Sequence, residues 1–139
     1  MSFQHKLQNL FQEIESITKE FKQLTQVIDL AGRQRMISQK VMKFFILSQQ
    51  QNGAMNIQNQ AELRDSIQQF DDNLFTLIDF PLNTQDISDQ LEKVRLLWHH
   101  FKSALHTNDY ENSMDLNNQV LAEMNNAVLL YVKLAGQEV

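Results

Sequence analysis

Apolar side chains recur at alternating steps of three and four through the first third of the chain: Leu7, Leu10, Ile14, Ile17, Phe21, Leu24, Ile28, Ala31, then Met42 and Phe45. Arg35 and Ser38 occupy the two intervening positions of the same heptad series. Such spacing marks the seam of a helix packed on other helices. No proline interrupts it between residue 5 and the Gln49-Gln50-Gln51-Asn52-Gly53 stretch, where Gly53 reads as a helix stop. The pattern predicts a first helix of about 45 residues, roughly 68 Å long at 1.5 Å per residue.

Three shorter helices follow. Leu63, Ile67, Phe70, Leu74 and Leu77 define the second, which ends at Phe80-Pro81 because the residue before a proline disfavours helical geometry. Asn83 or Thr84 caps a third helix carrying Ile87, Leu91, Val94, Trp98, Phe101 and Leu105. After the polar turn Thr107-Asn108-Asp109, the fourth carries Val120, Met124, Ala127, Tyr131 and Leu134. Short connections make sequence neighbours antiparallel, so the expected fold is all-α: an up-down-up-down four-helix bundle with a long first helix. Residues 1–139 are read as one domain.

The first helix outruns the others by several turns, and its surplus apolar stripe needs cover. A second apolar set, Leu30, Ile37, Val41 and Phe44, falls about 120° around the same helix at 100° per residue. One face is therefore expected to serve the bundle and the other a second copy of the chain, with those four residues as the dimer interface.

Composition narrows the function. A net charge of -5 argues against nucleic acid, which requires a basic surface. Without cysteine there is no disulfide framework, thiolate metal site or cysteine nucleophile. No apolar run reaches the length of a membrane span, so no direct membrane insertion is expected. The start lacks signal-peptide character, which reads as cytoplasmic for the chain as written and as periplasmic for a domain cut from a longer receptor. No Glu has His three positions on, and His99, His100 and His106 fall off the third helix's seam, so neither a metal nor another cofactor is expected. No phosphate loop, nucleophile elbow or paired-acid motif is present, and the expectation is a non-enzyme.

The unusual residue is Arg35. A guanidinium on an apolar seam requires an anionic or carbonyl partner. Two readings are open: it pairs with an acidic side chain of another helix or reaches the bundle edge, or it holds an anion. Its rigid fork of donors suits planar oxyanions such as nitrate, nitrite and carboxylates. Gly32 costs about 1 kcal/mol relative to alanine inside a helix, which close approach of a ligand or another helix would explain. Arg33 lies on a more polar side, four residues after Asp29, in position for a solvated ion pair.

The stretch Ile28-Asp29-Leu30-Ala31-Gly32-Arg33-Gln34-Arg35-Met36-Ile37-Ser38-Gln39-Lys40 resembles the signature of the PilJ-type domain, the N-terminal sensory domain of type IV pili methyl-accepting chemotaxis transducers. Residues 94–102 and 124–131 are similar to later stretches of that family, so the resemblance spans most of residues 24–135. The family is similar to periplasmic domains of nitrate/nitrite-responsive kinases, four-helix bundles that bind one anion between two first helices at a dimer axis. The resemblance therefore implies nitrate or nitrite as ligand, a homodimer and a separate signalling partner. It implies Arg35 as the guanidinium and Ala31-Gly32 as the backbone facing the anion. Arg33 is a possible second contact, and Ser38 lies one turn beyond. Asp29 stands where the family usually has Asn, with Arg33 able to neutralise it. The other reading is a ligand-free helical interaction module that keeps the motif for packing and dimerisation.

Overall fold

The computed structural model describes residues 2–50 and 53–138. These form four helices and no strand: α1 (Phe3–Gln50), α2 (Ala54–Ile78), α3 (Gln85–His106) and α4 (Tyr110–Glu138). Gln51 and Asn52, inside the expected end of the first helix, lie outside the described residues. Gly53 adopts φ 75° directly before α2, a conformation that costs glycine little, so it serves the start of α2 rather than the last turn of α1.

The other boundaries follow from local chemistry. The Thr84 hydroxyl accepts a hydrogen bond from the Ile87 amide at 3.3 Å and caps α3. Asn83 closes the preceding helix instead, donating Nδ2 to the Leu77 carbonyl at 2.7 Å. Its Oδ1 accepts from the Tyr131 hydroxyl at 2.8 Å, which fixes the α2–α3 connection to α4. Asn108 turns the α3–α4 connection with φ 57°, the left-handed region that asparagine tolerates.

α1 packs against α2 and α4, and α3 packs against α4. Of the helix pairs that pack together, α2 and α3 approach each other least, and large aromatic rings lie between them. Phe70 of α2 stacks on Trp98 of α3 with centroids 3.9 Å apart, and Phe101 extends the cluster at 5.6 Å from Trp98. The Trp98 indole donates to Asp71 Oδ1 at 2.6 Å, and Lys102 reaches the same oxygen at 3.0 Å. An apolar layer and a polar rim thus join this pair. All the α3 and α4 residues expected in the core are buried.

α1 has 48 residues against 25, 22 and 29 for its partners. Its first 20 or so residues project beyond the bundle as a stalk, and Phe3, Leu7, Leu10, Phe11, Ile14, Ile17 and Phe21 are all exposed there. Burial begins at Leu24. From that point the buried positions are Val27, Ala31, Gln34, Ile37, Ser38, Val41, Met42 and Phe45, which differs from the heptad series.

The reason is geometric. Seven residues at 100° fall about 20° short of two full turns, so a strict heptad series drifts by roughly 100° along a straight helix of this length. The apparent seam is two faces. At about 100° per residue, the stalk stripe Leu7–Phe21 centres roughly 110° away from the buried face. Arg35 is accordingly half-buried at the bundle edge, and Gln34 takes the core position, its Nε2 donating to the Phe70 carbonyl at 3.0 Å. Of the four residues expected at a dimer interface, Ile37 and Val41 are buried in the bundle, and Leu30 and Phe44 are half-buried around them.

Two outcomes follow from the core. Phe70→Ala leaves a cavity beneath Trp98 and should cost about 3–5 kcal/mol in urea unfolding. Burial pushes the Tyr131 hydroxyl above its ordinary pKa of 10.0. A raised folded-state pKa gives stability that is present below the unfolded value and lost as pH rises past it. Stability should therefore fall above about pH 10, and Tyr131→Phe should flatten that fall measurably in pH-dependent melts.

Candidate functional site

Arg35 lies in an open groove between α1 and α4, walled by Gly32, Met36 and Gln39 on one side and by Asn118, Ala122 and Asn125 on the other. Its Nη1 donates to Asn125 Oδ1 at 2.8 Å. Among the described residues no carboxylate pairs with it, whereas Arg33, Lys40, Arg95 and Lys102 each meet an acid. The guanidinium is thus tethered by a neutral amide and keeps its full charge, with further N–H donors to offer.

The α1–α4 seam that holds the groove is itself hydrogen-bonded. Asn117 is buried and donates Nδ2 to the Ser38 carbonyl at 2.9 Å. The Ser38 hydroxyl is bonded to the Arg35 carbonyl at 2.9 Å. Ser38 is therefore committed within the helix, and its fully buried side chain lies beneath the groove rather than in it. Ala31 is equally buried and packs in the core.

Arg33 and Arg35 do not converge. Two residues on a helix differ by about 200°, so their side chains leave on nearly opposite sides. Arg33 pairs with Asp29 at 2.6 Å on the exposed surface, as the sequence spacing indicates. It lines a different groove with Met36, Lys40, Lys43, Phe44 and Gln69, beside α2. The residues expected around an anion are thus divided: Gly32 and Arg35 share the α1–α4 groove, Arg33 faces elsewhere, and Ala31 and Ser38 lie in the core.

Among the described residues nothing lies within 4 Å of where a Gly32 Cβ would stand, so none of them requires its missing side chain. At 100° per residue, Ile28, Gly32 and Gln39 lie within roughly 20° of the mean direction of the stalk stripe, and Arg35 lies about 40° from it on the side of the buried face. Stalk and groove occupy one continuous face of α1.

Asn125 is the residue that sequence reasoning missed as a site member. Its 90-residue separation from Arg35 carries no local signal, and only the off-core spacing between Met124 and Ala127 marked it as facing outward. His99, His100 and His106 are exposed, and the described residues contain no group of metal-ligating side chains. No helix among those residues is long and apolar enough to cross a membrane.

A family model described as the N-terminal domain of type IV pili methyl-accepting chemotaxis transducers, PilJ, matches residues 16–130. No curated protein and no solved structure matches the chain at a significant level.

Because no described neighbour meets a methyl group at position 32, Gly32→Ala should stabilise the isolated protomer by up to about 1 kcal/mol through helix propensity. Urea unfolding of dilute protein checks this; a loss of stability would show that something outside the protomer occupies the space.

Proposed function

The chain belongs to this PilJ family of sensory, non-catalytic signalling domains, and on that premise we propose that it senses nitrate or nitrite through a homodimer whose first helices pair along the stalk and the Arg35 groove. The observation that carries the reading is the Arg35 guanidinium, half-buried and tied to a neutral amide. An uncompensated cation in a groove attracts an anion, and its planar fork matches planar oxyanions best.

Pairing follows from the same face. The exposed stripe of Leu7, Leu10, Ile14, Ile17 and Phe21 has the a/d spacing of a two-stranded coiled coil. A parallel partner lying on it meets Gly32 next, where the absent side chain lets two helix backbones approach. Two Arg35 side chains then face each other across the axis. Their mutual repulsion is relieved by one monovalent anion between them, so ligand and dimer stabilise each other. The signal is a change in how the paired first helices sit, read by a separate protein partner. Residues 1–139 act in this reading as one sensory domain.

Calorimetric titration with sodium nitrate and sodium nitrite, against sodium chloride at equal ionic strength, tests the proposal. The wild type should release or absorb heat and melt at higher temperature with nitrate or nitrite, and Arg35→Ala should lose both effects. Absence of any response at millimolar ligand contradicts the sensing role and leaves a helical dimerisation module. Ile14→Asp in the stalk should convert the dimer to monomer in sedimentation, and a monomeric wild type contradicts the pairing.

A further inference from the structure

We propose that Asn125 of α4 is a positioning and selectivity residue of the Arg35 site: its carbonyl oxygen holds the guanidinium, and its Nδ2 hydrogens are presented to the same anion. This rests on the reading of the α1–α4 groove as an anion site.

Donor chemistry fixes the orientation of the amide. A guanidinium has only N–H donors, so the Asn125 atom 2.8 Å from Arg35 Nη1 has to be the oxygen. Oδ1 is therefore taken up by the guanidinium, and the NH2 group of this exposed side chain is not used in that contact. Asn125 lines the groove with Arg35 and Gly32, so an oxyanion there meets donors from both helices. The remaining groove residues from α4, Asn118, Leu121 and Ala122, are uncharged, so nothing on that wall cancels the Arg35 charge.

Neutrality of the tether is the functional point. A carboxylate at position 125 has the same size and would hold Arg35 at least as firmly, through a charge-assisted pair. It would also neutralise the guanidinium and repel an anion. An amide gives orientation without neutralisation. The choice of Asn over Asp thus gives up the stronger intramolecular contact and keeps the positive charge available.

The experiment compares wild type, Asn125→Asp and Asn125→Ala by thermal melting and by titration with nitrate and nitrite against chloride at equal ionic strength. Position 125 is exposed, and circular dichroism checks that each variant keeps its helix content. Ligand-free Asn125→Asp should melt at or above the wild-type temperature yet bind nitrate at least tenfold more weakly, about 1.4 kcal/mol. Asn125→Ala keeps the charge but frees the guanidinium, and its affinity should fall between the two. A merely structural tether predicts the reverse order, with Asn125→Asp binding like wild type and Asn125→Ala weakest. That order, or equal binding by all three proteins, overturns the inference. A wild type that binds neither anion removes the anion site itself, an outcome separate from a wild type that binds while Asn125→Asp binds equally.

Discussion

A straight α-helix advances 100° per residue, and a heptad repeat therefore slips about 20° every seven residues. In α1 that slip accumulates over the whole helix and separates two tasks. From Leu24 onward its apolar residues face α2 and α4 and build the core. Before Leu24 the apolar stripe has turned away from the bundle and runs instead into the groove of Gly32 and Arg35. A strictly supercoiled helix would keep one seam throughout and bury the arginine. Here Arg35 stands at the junction of the two faces, half-buried and within reach of α4.

Polar contacts make that junction specific. Hydrophobic burial alone would let α1 slide or rotate against its neighbours with little penalty. Gln34 to the Phe70 carbonyl, Asn117 to the Ser38 carbonyl and Arg35 to Asn125 each require one register. Two of the three tie α1 to α4. A buried amide left unpaired costs roughly 1–3 kcal/mol, so displacing α1 along α4 is resisted in discrete steps. The proposed anion acts at this seam, where one guanidinium already belongs to both helices.

Much of the fold was legible because helix seams are local. The series Ile87–Leu105 and Val120–Leu134 predicted buried residues correctly, since over about four to five turns the difference between 3.5 and 3.6 residues per turn is small. The same assumption put Arg35 on the seam where Gln34 stands, because α1 is long enough for the drift to matter, whereas the burial of Ile37 and Val41 follows from the packing of α2 and α4 around α1. The solvated Arg33–Asp29 pair was readable from a four-residue spacing. Asn125 was not, because its partner lies across the bundle. The division of the motif among two grooves and the core has the same origin: adjacent letters of a helical signature point in different directions.

In the proposed dimer the stalk stripe and the Arg35 groove form one pairing face of α1. The chain has no cysteine, so single introduced cysteines report on it directly. Ile28→Cys and Gln39→Cys lie on the proposed face, and Phe44→Cys lies on the side turned to α2. Rapid disulfide cross-linking between chains is expected at positions 28 and 39 under mild oxidation, faster with nitrate present, and little at 44. Cross-linking at 44 but not at 28 or 39, or at none of the three, would contradict it.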